Sequence, residues 1–300
     1  MKKYVSLALT VLLLVVLSVG CATGTSVQNT TAAPTATPTE APTEAIDENS
    51  FQDGVYFAVQ QEFSKTGWKY HVIITVEDGK IVDTVWNATS RVPGLDKMTV
   101  SEEGNYGMVA FGKAQAEWHE QAQATVAYFL ETQSYEVGEG FYPEGNGKTD
   151  TIAGVSITVS EFYELAKEAL ESTPVASGNF VDGYHVSTLD PDDKGWQYMA
   201  QFTVVNGTIV DVNYNSQSIT QLDDAGKPVD KKGLGFDYGM KEKAKAAFEW
   251  FEYAEMIENY IVESQGFDVN YTTDKGNTDT IASVTIGVKE IDLLFDKAFN

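Results

Sequence analysis

Apolar and polar positions along this chain repeat one pattern twice. Val55, Phe57 and Val59 alternate with more polar neighbours, the period of a strand. A second strand is predicted at Val72-Ile73-Ile74-Thr75-Val76, and Asp78-Gly79 separates it from Lys80-Ile81-Val82-Asp83. The later half reads Phe202-Thr203-Val204-Val205, then Asn206-Gly207, then Thr208-Ile209-Val210-Asp211. Asp-Gly and Asn-Gly supply the two positive φ angles of a tight hairpin. The period then changes to that of a helix. Phe111, Ala114, Trp118, Ala122, Thr125 and Phe129 predict a long helix over roughly 106–133, with a counterpart over roughly 238–265. A final helix in each half aligns Phe162, Leu165, Ala166, Ala169 and Leu170, and Ile291, Leu294, Phe295, Ala298 and Phe299. Thr158 and Glu161 have the spacing of a capping box, with Thr158 as N-cap, and Gly287 and Glu290 hold the same places.

The matches extend beyond periodicity. Asp53-Gly54 pairs with Asp182-Gly183, Gly67-Trp68 with Gly195-Trp196, Tyr106-Gly107-Met108 with Tyr238-Gly239-Met240, and Trp118 with Trp250. The offset drifts between 128 and 132 residues, far longer than a solenoid repeat. A whole domain is therefore duplicated. Strands first and helices after predict an α+β fold: two duplicated domains, each a small antiparallel sheet packed with a long helix and a C-terminal helix. The domains span 49–173 and 178–300, joined by a short linker near Ser172–Gly178. The most closely shared phrase is Thr149-Asp-Thr-Ile-Ala-Gly-Val-Ser-Ile157, which returns as Thr278-Asp-Thr-Ile-Ala-Ser-Val-Thr-Ile286, 129 residues on.

The first 48 residues belong to neither copy. Lys2 and Lys3 precede an apolar run from Val5 to Val19, shorter than the roughly 20 residues of a membrane span. Residues 1–20 read as a secretory signal. Leu17-Ser18-Val19-Gly20-Cys21 is similar to a bacterial lipobox, and Cys21 is the single cysteine. Cys21 is expected to carry lipid, which places the protein outside the cytoplasm, anchored to a bacterial membrane. Residues 21–48 are rich in Thr, Pro and Ala. They lack the apolar bulk to offset ordering entropy, and read as a disordered tether reaching roughly 90 Å when stretched.

Charge and motifs narrow the chemistry. A formal net charge of −24 repels phosphate backbones, so nucleic acid is excluded as a partner. His71, His119 and His185 are single and not at metal spacing, and no metal site is expected. No catalytic dyad, dinucleotide fingerprint, P-loop or nucleophile elbow is present. Trp68, Trp86, Trp118, Trp196 and Trp250 suit either a core or a stacking surface. The repeated phrase precedes a helix N-terminus, where free N–H groups and the helix dipole favour an anion. Ser156, Thr158 and Thr285 could add hydroxyl donors there, and Asp150 and Asp279 could orient them. A routine strand-to-helix connection fits the same residues.

The order Asp-Gly-x-Tyr, Gly-Trp, strand, Asp-Gly-Lys-Ile-Val-Asp, Tyr-Gly-Met and Thr-Asp-Thr-Ile resembles the FMN-binding domain family. That family includes flavin-carrying subunits of sodium-pumping quinone oxidoreductases and surface lipoproteins with tandem FMN-binding domains. The resemblance implies FMN held by a phosphoester to Ser156 in one copy and Thr285 in the other. Asp150 and Asp279 match the leading acid of the family's motif, and Gly154 its glycine. The chain departs from that motif at Ala153, Val155, Ala282, Ser283 and Val284. These departures remove hydroxyls and add β-branches, and they count against covalent attachment. Two function classes follow. In one, a redox carrier receives FMN from a flavin transferase and exchanges electrons with a membrane redox partner. In the other, a surface binding or adhesion module keeps the fold without flavin.

Overall fold

A computed structural model describes residues 50–300. The signal segment, Cys21 and the tether lie outside the described residues. The fold is α+β. One antiparallel sheet runs β1 (Gly54–Val59), β2 (Trp68–Glu77), β3 (Lys80–Ser90). The other runs β4 (Gly183–Thr188), β5 (Trp196–Val205), β6 (Thr208–Leu222), β7 (Pro228–Asp230). Asp78 and Gly79 have φ of 51° and 72°, and Asn206 and Gly207 have 52° and 75°. Both hairpins therefore have the geometry their dipeptides predict. Gly79 N–H donates to Asp53 at 2.8 Å and Gly207 N–H to Asp182 at 2.6 Å, which accounts for the aspartate repeated at 53 and 182.

Each sheet buries one face under helices. In the first half, α1 (Lys97–Glu102) precedes α2 (Trp118–Thr132) and α3 (Ser160–Glu171). In the second, α4 (Lys231–Leu234) and α5 (Met240–Lys243) precede α6 (Trp250–Ser264) and α7 (Lys289–Phe299). Tyr56, Val72, Ile74, Trp86, Trp118, Phe129 and Phe162 belong to one core. Phe202, Val204, Tyr214, Trp250, Ile257 and Leu294 belong to another. In β1 the core-facing residues are Tyr56 and Ala58, and Val55, Phe57 and Val59 line the opposite, half-buried face. Trp86, Trp118, Trp196 and Trp250 are buried.

The long helices begin later than the periodicity suggests. Residues 106–117 form turns, and Phe111 is 88% exposed. Gly107 and Lys113 take φ of 73° and 56°, conformations a helix does not accept. Glu117 and Glu249 set the true starts. Glu117 accepts from Met108 and Val109 N–H, both at 2.9 Å. Glu249 accepts from Met240 and Lys241 N–H at 2.7 and 3.0 Å. The repeated Tyr-Gly-Met is thus a turn held by a carboxylate. The final helices also start later. Val159, not Thr158, is the N-cap of α3, and no side chain caps it. The Gly147 carbonyl instead accepts from Val159 and Ser160 N–H at 2.8 and 3.1 Å, and Gly276 accepts from Val288 N–H at 2.9 Å.

The sheet faces turned from the helices meet each other through polar contacts. Lys69 pairs with Asp211 at 2.7 Å, and Arg91 with Asp230 at 3.0 Å. His71 Nε2 lies 2.7 Å from Tyr184 Oη. Asn213 donates to the Ser90 carbonyl at 2.8 Å. The connecting segment is tied to both halves, with Val175 N–H on the Val55 carbonyl at 2.7 Å and Gly178 N–H on the Asn206 carbonyl at 2.8 Å. Residues 50–300 lie within one compact unit.

Candidate functional site

The repeated phrase forms a turn that drops two side chains into each core. Ile152 and Val155 are buried in the first copy, and Ile281 and Val284 in the second. Asp150, Ala153, Gly154 and Ser156 are exposed, as are Asp279, Ala282, Ser283 and Thr285. Val155 N–H donates to the Ile152 carbonyl at 3.2 Å, and Val284 N–H to the Ile281 carbonyl at 3.3 Å. Gly154 has φ 79° and Ser283 has φ 65°. That left-handed backbone favours glycine at this position, and open space lies where a Cβ on Gly154 would sit.

The donors expected to face a ligand are largely engaged. Gln121 is buried on α2 and its Oε1 accepts from Ser156 N–H at 2.7 Å, Ser156 Oγ at 3.1 Å and Ile157 N–H at 3.2 Å. Tyr253 occupies the place of Gln121 in the second half, and its hydroxyl lies 2.7 Å from Thr285 Oγ1. The Val159 and Ser160 N–H groups at the start of α3 go to the Gly147 carbonyl, and the N-cap Val288 N–H before α7 goes to the Gly276 carbonyl.

Ser156 and Thr158 nevertheless border a cavity of ≈ 520 Å³. Its other walls include Tyr70, Lys97, Tyr106, Trp118, Lys148 and Glu161. Lys97 is the residue that sequence reasoning missed. It sits on α1, only 1% exposed, and donates to Tyr70 Oη. Its ammonium lies 4.6 Å from the ring centres of Tyr70 and Tyr106, 4.8 Å from Trp118 and 5.6 Å from Trp68. Lys231 repeats the arrangement at 3% exposure. It donates to Tyr198 Oη at 2.7 Å. It lies 4.3 Å from Tyr198, 5.0 Å from Trp196 and Trp250, and 5.4 Å from Tyr238.

Each lysine is placed by a strand asparagine and a capping aspartate. Asn87 donates to Asp96 at 2.7 Å, and Asp96 accepts from Thr99 N–H at 3.0 Å to start α1. Asn215 donates to Asp230 at 2.8 Å, and Asp230 accepts from Gly233 N–H at 2.7 Å to start α4. The signal available in the sequence was Asp96-Lys97 recurring as Asp230-Lys231, hidden by a changed offset. Burial among the rings brings the Lys97 ammonium down to about 7, opposed by the charge of Glu161. Burial brings Lys231 down to about 8, opposed by Asp192 and Glu290. Burial also raises Tyr70, Tyr198 and Glu161 above their ordinary values.

A second cavity, ≈ 420 Å³, is lined by residues 59–63, Lys69 and Arg91 of the first half and by Asp211, Lys232 and Glu258 of the second. Its cations already have partners, Lys69 with Asp211 and Lys232 with Glu258 at 2.6 Å. Among the described residues no cluster of metal-ligating side chains occurs, and no helix is long and apolar enough to cross a membrane. His71 is 1% exposed, and burial lowers it to about 4.

No protein-family model matches the chain. The chain is 24% identical over 125 residues to the "15 kDa lipoprotein" of Treponema pallidum (strain Nichols), covering 41% of this chain and 77% of that protein. A solution NMR structure of a Clostridium thermocellum protein is 45% identical, covers 40% of this chain and 90% of its own, and has a TM-score of 0.32. A crystal structure of a Clostridium perfringens protein is 22% identical, covers 40% and 87%, and has a TM-score of 0.32.

Proposed function

We propose that the chain is an extracytoplasmic lipoprotein, anchored to a bacterial membrane through lipid on Cys21. Its two FMN-binding-like domains, 49–173 and 178–300, hold flavin and carry electrons outside the membrane. The similarity to a treponemal lipoprotein supports the anchored class. The observation that carries the flavin reading is the ≈ 520 Å³ cavity, where Ser156 and Thr158 share walls with Tyr70, Tyr106, Trp118 and two lysines. Hydroxyls, cations and ring faces around one space suit a planar ring bearing a phosphate. Bound flavin would supply the electron transfer itself. Lys97, Lys148, Ser156 and Thr158 would hold its anionic groups, and the aromatic walls would exclude water.

The residues fit reversible binding better than a phosphoester. Ser156 Oγ donates to Gln121, so an ester there would remove that hydrogen bond, while Thr285 Oγ1 pairs with the Tyr253 hydroxyl and an ester would leave it only an acceptor. The second reading, a surface binding module without flavin, is favoured by that same internal satisfaction of the phrase. The deciding experiment is expression of the full lipoprotein with a flavin transferase, followed by visible absorbance and intact mass. Flavin absorbance without added mass is the expected result. An FMN-sized mass increase, lost in Ser156→Ala with Thr285→Ala, would establish covalent sites. Absence of absorbance together with no uptake of added FMN would refute the flavin reading and leave the binding module. A membrane redox partner would then have no role.

A further inference from the structure

The chain treats its buried lysines in two ways. Lys69 and Lys232 meet carboxylates, Asp211 and Glu258. Lys97 and Lys231 are more deeply buried, yet among the described residues no carboxylate stands within 4.0 Å of either ammonium. An ammonium has three donors. A tyrosine hydroxyl is the one hydrogen-bonding oxygen at each. Ring centres lie within 5.6 Å of the Lys97 ammonium and 5.4 Å of the Lys231 ammonium, which offsets part of the desolvation. A buried charge without a counter-charge is costly, and a methionine would fill the box without that cost. Both halves nonetheless keep the lysine, its four aromatic neighbours and the Asn–Asp pair that places it. Nearby positions have diverged freely, Gln121 against Tyr253 and Trp86 against Tyr214.

We propose that Lys97 and Lys231 are the charge-selecting residues of two ligand sites, one per half, each receiving an anionic oxygen of a planar conjugated small molecule on its ammonium. The first site is the ≈ 520 Å³ cavity, and its aromatic walls set the planar, conjugated character of the ligand. The second is inferred from the duplicated box. The proposal rests on the reading of that cavity as a ligand site, but not on the ligand being flavin. The anion completes the lysine's donor set where the protein supplies no carboxylate. The charged groups that bear on Lys97 are Glu161 and Lys148, beside the neutral hydroxyls of Tyr70 and Tyr106, and those on Lys231 are Asp192, Lys194 and Glu290, beside Tyr198 and Tyr238. Binding needs the protonated amine. Affinity therefore falls as pH rises through about 7 at the first site and about 8 at the second.

The test observes the lysine side-chain signals of the wild-type protein by NMR, at about pH 6, where both amines are charged. FMN, riboflavin and benzoate are the probes. Benzoate, and FMN if it enters, should shift the Lys97 and Lys231 signals. Benzoate should lose about tenfold or more in affinity in Lys97→Met and retain most of it in Lys97→Arg. If benzoate moves the lysines while neither flavin binds, the inference stands and the flavin reading falls. If FMN binds the Lys97→Met, Lys231→Met protein as tightly as wild type, the flavin reading stands and the inference is overturned. If no anionic probe moves either wild-type signal, the lysines are structural, and that result needs no variant to fold.

Discussion

The two halves agree most where a lysine is boxed and differ most where the sheets meet. Tyr70, Trp68, Tyr106 and Trp118 around Lys97 have identical counterparts around Lys231. At the sheet–sheet contact the halves have become complementary. The first half supplies Lys69 and Arg91, where the second has Gln197 and Ile219. The second supplies Asp211, which pairs with Lys69, while its counterpart Asp83 is exposed. The second half also carries a buried ion pair, Lys232–Glu258, where the first has Met98 and Val126. Duplicated domains are free to diverge where they only need to fit each other. Features kept alike in both answer to a demand that each half meets separately.

The largest effect expected from breaking this comparison is at that ion pair. Glu258 Oε1 accepts from Lys232 at 2.6 Å and from Tyr214 N–H at 2.6 Å. Glu258→Val would leave Lys232 without its counter-charge. A loss of about 3–5 kcal/mol is expected. The double variant Lys232→Met, Glu258→Val imports the first half's own solution. It should recover more than half of that loss, because an apolar pair of similar volume removes the buried charge. Denaturant unfolding of the wild type, both single variants and the double variant closes the cycle. A double variant no better than Glu258→Val would mean that the halves' cores are not interchangeable here.

Much of this fold was legible, and the reasons are local. Asp-Gly and Asn-Gly carry hairpin geometry in two residues, and the strands fall where these turns place them. The final helices could be read from Phe162 to Leu170 because a single apolar stripe decides them. The starts of α2 and α6 were not legible. Phe111 and Ala114 continue the helical spacing by coincidence, and the break depends on Glu117 binding Met108 and Val109 N–H across the turn. The phrase at 149–157 drew attention because it repeats, but most of its repetition serves the turn and the core. Lys97 was hidden for a different reason. A lysine reads as surface, and its box draws rings from β2, α2 and the turn at Tyr106. Only the tertiary fold brings these together. The insertion that makes β7 then shifted the offset of Asp230-Lys231 away from the rest of the alignment.

The boxed lysines also predict an unusual pH dependence, graded between the halves. Their ordinary value is 10.5, and the fold lowers Lys97 to about 7 and Lys231 to about 8. Between the folded and unfolded values the unfolded chain binds more protons, so stability rises with pH. The rise should begin near 7 from Lys97 and near 8 from Lys231. It should stop near 10.0, because Tyr70 and Tyr198 are raised above that value in the fold and reverse the sign there. Thermal melts from about pH 6 to about pH 10 should show an increase of several degrees. Lys97→Met should flatten the curve more than Lys231→Met. Equal flattening, or none, would show that the two boxes do not differ as their surroundings indicate.

The smallest effects separate the two copies of the phrase. Gln121 takes three donors from Ser156 and Ile157, two of them backbone N–H groups. Gln121→Ala leaves those groups without that acceptor and should cost about 1–3 kcal/mol. Tyr253 takes part in one bond, to the hydroxyl of the exposed Thr285. In Tyr253→Phe that hydroxyl turns to water, and the cost should stay below about 1 kcal/mol. Amide hydrogen exchange sharpens the contrast. Ser156 N–H should exchange faster in Gln121→Ala, because its acceptor is gone. Thr285 N–H should be unaffected in Tyr253→Phe, because the lost bond involves only side chains. If both substitutions cost the same, and neither changes exchange at its own copy, then the difference between Gln121 and Tyr253 does not govern the two turns. Their shared backbone, with its left-handed residue at Gly154 and Ser283, would then hold each turn without help from α2 or α6.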